Sequence, residues 1–333
     1  MSGQRGTGLP GTALVSTALV VTGVGVCLPW TDRAADAAAE PAPGALDGWF
    51  DPKVRLGRRG YKYLPPACQY LLAAGRAALA DAAGPGDAEA GGVLASVDPS
   101  ARGVAVGTNC AASRLHAEMN RTIIEADADE ISPALAPFFS INLFGSRLGA
   151  EHACQAFNLT LTSPRLAGFD AFALGARAVR LGRAEVLLVG VTEDAVAPGE
   201  GGMAGAEVGA VVLVCEPESR ARARGAAPRG RVVTRTRAAA GPTAGWPEVG
   251  WPAPDSGGPP AWVTRVPPGS GALAPMRHLA AALTGTVPVL VTAAGPGALG
   301  AALVTPSPGT AAPGTVTGGI AAERGEALAG GTR

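Results

Sequence analysis

Lysine is almost missing from this 333-residue chain: Lys53 and Lys62 are the only two among 27 basic residues. Charged residues make up 16% and the formal net charge is zero, so no global field draws in nucleic acid or an anionic membrane surface. Histidine is limited to His116, His152 and His278, and aromatic residues to 5%. The five cysteines, Cys27, Cys68, Cys110, Cys154 and Cys215, are scattered and form no C-x-x-C pair. That excludes a disulfide framework and a zinc site, and the expectation is buried free thiols in a cytoplasmic protein. No apolar run reaches the ~20 residues of a membrane span. The nearest, Thr12 to Pro29, is broken by Gly23 and Gly25, follows a lone Arg5 and has no cleavage site after it. It is read as a buried first strand, Ala18 to Val26, and not as a leader. A phosphate-binding G-x-x-x-x-G-K-[ST] loop is absent, and Gly23-Val-Gly25 lacks the rest of a dinucleotide fingerprint. Neither a metal nor any other cofactor is expected.

What the chain does have is 47% hydrophobic residues, 48 glycines and 29 prolines, enough for a sizeable core with many turns. Short runs rich in valine and leucine predict strands at 18–26, 103–107, 158–163, 185–191 and 207–215. They are nearly free of polar residues, as strands covered on both faces are. Helices are predicted between them, at 66–83, 109–127 and 167–181. The first opens on Pro65-Pro66 and closes on Gly84-Pro85-Gly86. Such alternation indicates a layered α/β fold. The character changes at residue 217. Up to about 270 the chain is rich in Arg, Gly and Pro, with seven arginines from Arg220 to Arg237 and then Trp246, Trp251 and Trp262. This stretch is read as linker or a replaced segment, with one strand allowed at 231–237. Order is expected to return at 271–305, with a helix at 273–283 and strands at 288–292 and 299–304. The tail, 306–333, is expected to be disordered.

Seven segments, in order, resemble the β-ketoacyl synthase family. They are Val20 to Pro29; Arg58-Arg59 with the helix from Pro66; Gly103 to Thr108; Pro137 with Asn142; Asn158 to Leu161 with Gly168-Phe-Asp-Ala171; Ala184 to Glu193; and Gly205 to Leu213. The resemblance implies a thiolase-like fold, layered α/β/α/β/α. It covers residues 1–216 as a ketosynthase-like half and 271–305 as the remnant of an abridged second half.

Two departures bear on function. The family's nucleophilic cysteine, three residues before the glycine matched to Gly168, is replaced by Arg165. Arginine stays protonated and cannot carry an acyl group. A cation at a helix N-terminus is also unfavourable, so Arg165 is expected to turn outward or to find an acidic partner. Ser163 is displaced by two positions, with no activating pair in the sequence. The family's two catalytic histidine motifs are missing as well. His116, His152 and His278 are read as surface or satisfied residues, and no catalytic residue is expected.

A ketosynthase-like chain without its cysteine resembles the chain-length factor, or ketosynthase β subunit, of type II polyketide synthases. The resemblance implies a heterodimer with an active ketosynthase, an acyl carrier protein that delivers units, and a growing polyketide acyl chain held at the interface. The setting it implies is antibiotic biosynthesis, of a highly reduced or polyene product. Candidate interface and tunnel residues are Asn109, Cys110, His116, Met119, Phe138, Phe139, Asn142, Asn158, Thr160 and Thr162. Two alternatives stand beside this reading. One is a scaffold that docks an acidic carrier protein through the Arg220–Arg237 run. The other is an acyltransferase or decarboxylase of the same fold that uses unusual residues.

Overall fold

Two glycines inside an apolar run decide how the first strand packs. β1 (Leu19–Cys27) lies against α2 (Pro66–Ala82). A Cβ on Gly25 would stand 1.9 Å from the carbonyl oxygen of Ala74, and one on Gly23 would stand 2.1 Å from that of Ala78. The glycines that interrupt the run are therefore what lets helix and strand approach. The structure, a computed structural model, describes residues 19–39, 48–83, 92–196, 207–238, 262–267 and 271–308. Trp246, Trp251 and the tail beyond residue 308 lie outside the described residues.

The predicted elements appear with shifted ends. After the short α1 (Pro52–Arg55) and α2 come β2 (Arg102–Gly107), α3 (Ser113–Glu125), α4 (Leu143–Glu151) and β3 (Phe157–Leu161). Then follow α5 (Ala167–Arg180), β4 (Val186–Glu193), β5 (Gly209–Pro217), α6 (Glu218–Ala223) and β6 (Gly230–Ala238). The last elements are β7 (Trp262–Arg265), α7 (Leu273–Ala282), β8 (Val289–Gly295) and β9 (Ala298–Pro306). α4, β7 and α6 were not predicted, and α3 starts four residues later than its periodicity indicates. The part of the 217–270 stretch up to Ala238 is built into the fold and is not linker. α6 starts directly after β5, and β6 pairs with β9 along its whole length.

One nine-stranded sheet results, in the order β3-β2-β4-β5-β1-β6-β9-β8-β7. It consists of two unequal halves. In the first, β2 lies parallel to β3 and β4, and β4, β5 and β1 are successively antiparallel. In the second, β7 lies parallel to β8, and β8, β9 and β6 are successively antiparallel. The second half thus repeats the first without a counterpart of β3 among the described residues. The halves join at only two register pairs, Val20 with Arg231 and Val21 with Gly230.

The layers follow from which faces are apolar. α2 and α4 cover one face of the first half over a core that includes Leu71, Leu72, Phe144, Leu148, Leu188 and Val212. α5 and α7 pack on each other and on strands of both halves, over a core that includes Phe169, Phe172, Leu213, Leu273, Met276 and Val304. On the outer face of the second half, Leu290, Ala301 and Leu303 form a small cluster of their own, and no helix covers it among the described residues. Among the described residues no helix is long and apolar enough to cross a membrane.

The arginine run is mostly spent inside the fold. Arg220 and Arg224 both bond Glu216, whose side chain is fully buried and also accepts from Thr22 Oγ1 at 2.7 Å. Arg222 and Arg231 pair with Glu218, and Arg229 pairs with Asp81. The carboxylates sit where sequence alone shows no pattern, at the end of β5, on α6 and on α2.

Candidate functional site

The start of α5 is where a nucleophile would stand. Arg165 occupies that corner with φ of 62°, one of two non-glycine residues with positive φ among the described residues. Left-handed backbone at a non-glycine residue costs roughly 1–2 kcal/mol and must be held by its surroundings. Asn109 holds it. Its Oδ1 accepts from the Arg165 N–H at 3.0 Å, while its Nδ2 donates to the carbonyls of Thr162 (2.9 Å) and Ser163 (3.3 Å). One side chain thus clamps both sides of the turn between β3 and α5.

Asn109 is in turn held by Glu193, at the end of β4. The Glu193 carboxylate accepts from the backbone N–H groups of Asn109 and Cys110, each at 2.6 Å, and from Thr108 Oγ1 at 3.3 Å. α3 opens at Ser113, beyond the turn that these bonds hold. Glu193 is 1% exposed. Burial raises its pKa to about 7, against the lowering effect of the hydrogen bonds and with a further rise from nearby Glu207. Glu207 bonds the Ala274 N–H at 2.6 Å, near the start of α7, and Arg277 at 3.0 Å.

The Arg165 side chain does not find an acidic partner among the described residues. Its Nη1 approaches the Ala294 carbonyl oxygen at 3.4 Å, at the end of β8. The guanidinium thus reaches across to the second half. Gly295 is just as close to this turn, since a Cβ there would meet the Pro164 carbonyl oxygen at 2.5 Å.

Four of the described thiols are held in the protonated form by burial. Cys27 and Cys68 are pushed up to about 12 by burial, Cys154 to about 11, and Cys215 upward as well. Cys110 is buried beside the Glu193 clamp. The five cysteines are free, as expected, and only Cys154 is not fully buried. Among the described residues no group of three or more metal-ligating side chains occurs.

The candidate interface residues fall into two groups. Asn109 and Thr162 join Arg165 in the clamp. Asn158 and Thr160 lie on β3, the outermost strand of the sheet; Asn158 is exposed and donates to Ser146 Oγ at 2.9 Å, while Thr160 Oγ1 is buried without a partner. The second group lies on α3 and the turn before α4. His116 stacks on Phe139 with ring centroids 5.7 Å apart. Phe139 is 51% exposed, whereas Phe138 is buried with Arg147 over its ring at 5.9 Å. Met119 is the buried residue of α3, and Ile123 and Ile124 on the same helix are exposed. Asn142 accepts from Ser140 Oγ at 2.6 Å at the head of α4.

The histidines correct one expectation. His116 and His152 are half-buried, and each holds a buried Nε2 without a hydrogen-bond partner among the described residues, so that nitrogen is not satisfied. Burial also lowers the pKa of His152. Sequence reasoning missed Glu193 and Glu207 as working residues. The available signal was an acidic residue two positions after an unbroken apolar run, Val186 to Val191, where a carboxylate has no ordinary reason to be buried.

No family model matches the chain, and no curated protein does. Solved structures do. One is described as the ishigamide ketosynthase/chain length factor, at 19% identity and a TM-score of 0.66, over 87% of this chain and 99% of that one. A second is a type II polyketide synthase acyl-carrier protein in complex with its ketosynthase bound to the hexaketide, at 14% identity and a TM-score of 0.66 over the same shares. A third is a β-ketoacyl synthase from Burkholderia phymatum STM815, at 14% identity and a TM-score of 0.58, again over 87% and 99%. At these identities the likeness shows the fold, which is the thiolase-like fold of ketosynthases.

Proposed function

We propose that this chain is a non-catalytic, chain-length-factor-like subunit that pairs with an active ketosynthase and shapes its acyl tunnel. One observation carries the reading: Arg165 keeps the strained corner of a nucleophile, fully clamped by Asn109 and Glu193, and brings no nucleophile to it. Retained geometry without reactive chemistry fits a part whose shape is needed by a partner.

The surface suits such a partner. Among the described residues β3 pairs with β2 on one side and with no strand on the other, so a second strand has a ready row of backbone donors and acceptors. Exposed Ile123, Ile124 and Phe139 add apolar area near the candidate residues. In this reading the partner's cysteine carries the growing polyketide chain, a carrier protein delivers units, and the complex works in the cytoplasm on a type II polyketide, highly reduced or polyene. The scaffold alternative draws less support. Five arginines of the run on which it relies are already in ion pairs within the chain.

Co-expression with the ketosynthase encoded nearest to it tests the reading. The expected result is a 1:1 complex on size exclusion that consumes malonyl units only when both chains are present. Arg165→Ala in this chain is expected to leave turnover within about twofold, since the residue takes no part in bond making. A well-behaved solitary chain that associates with no ketosynthase offered would overturn it.

A further inference from the structure

Away from the clamp, a cavity of about 240 Å³ opens between the turn around Gly60, α2 and α4. Its walls carry Arg59, Tyr61, Arg147 and Glu151, and its apolar side is made by Leu64 and Leu72. Three of these groups are charged, and one of them, Glu151, is engaged within the chain. Glu151 accepts from Arg76, including Nε at 3.0 Å, and from Tyr61 Oη at 3.0 Å. Arg76 also donates to the Leu56 carbonyl at 2.7 Å. Although burial opposes it, these bonds hold the Glu151 carboxyl below the usual range, so it is ionised and already neutralised by Arg76.

The remaining two charges have no such partner. Among the described residues neither Arg59 nor Arg147 pairs with a carboxylate, and Arg147 rests only over the Phe138 ring. Two free guanidinium groups at one cavity are an arrangement that recognises a doubly charged oxyanion. The volume exceeds what a bare phosphate fills, and Leu64 and Leu72 offer an apolar wall to the remainder.

We propose that this cavity binds a small phosphate monoester, with Arg59 and Arg147 on the phosphate and Leu64 and Leu72 against the organic group. The site is separate from the Arg165 corner and does not depend on the subunit reading. Titration calorimetry on the full chain at constant ionic strength tests it, with inorganic phosphate and phenyl phosphate as probes. Phenyl phosphate is expected to bind saturably, and more tightly than inorganic phosphate. Arg59→Ala with Arg147→Ala is expected to weaken it at least tenfold, and Arg177→Ala, an exposed arginine on α5, to leave it unchanged. Circular dichroism checks that the variants are folded. Three results overturn the proposal: no saturable heat with phenyl phosphate, equal loss on Arg177→Ala, or undiminished binding in the double variant. Equal affinity for the two probes overturns the assignment to an ester.

Discussion

The two halves of the sheet share one pairing scheme and are finished differently. The first half has helices on both faces, five strands and strands such as β4 that are buried throughout. The second has four strands and, among the described residues, helices on one face only. Val233 and Val263, on β6 and β7, stay 44% and 46% exposed, while Leu213 on β5 is fully covered. The comparison teaches that the corner at Arg165 depends on the second half for one wall only, through Ala294 and Gly295. The complete half builds the clamp, and the reduced half closes it.

Substitutions at matched positions sharpen that contrast. The largest effect is expected from Gly25→Leu, which forces β1 away from α2. It should leave no folded chain, as read by soluble yield and circular dichroism. Next comes Glu216→Ala near the joint between the halves. It strands Arg220 and Arg224, whose side chains are 15% and 10% exposed, and should cost about 3–5 kcal/mol in denaturant unfolding. If it costs under ~1 kcal/mol, the joint is not held by charge.

A smaller effect concerns pH. Glu193 has a folded pKa raised from 4.5 to about 7, so its stabilising contribution is fully present below about pH 4.5 and is lost as pH rises through about 7. Stability should therefore fall between about pH 4.5 and 7, and Glu193→Gln should flatten that slope. An unchanged slope would place the titration elsewhere. The smallest effect is expected on the open face. Val233→Ala should change stability by under about 0.5 kcal/mol, whereas Leu213→Ala in the covered core should cost about 2–5 kcal/mol. Similar costs at both positions would mean that the open face is covered in solution.

Much of the fold was legible because its strands are apolar runs with turn residues at their ends. β1, β4 and β5 are read within a few residues of where they stand, and α2 is bracketed by its prolines and glycines. The positive-φ turn at Arg165 was not legible, since it depends on the Asn109 side chain. What the sequence did not display depends on long-range contacts. The role of Glu193 needs Asn109, 84 residues away, and the role of Asn109 needs Arg165, 56 residues further on. The true place of the arginine run needs Glu216, Glu218 and Asp81 around it. α3 was placed too early because periodicity cannot see that residues 109–112 form a turn held by Glu193 from another strand.

The open side of β3 also bears on how the chain survives in a cell. Its five residues, Phe157 to Leu161, include no lysine or proline, and its pairing with β2 runs without a bulge. These are the features by which outermost strands commonly avoid one another. Made in excess, the chain would present the same template on every copy and tend to aggregate. Solubility would then depend on how far that strand is covered.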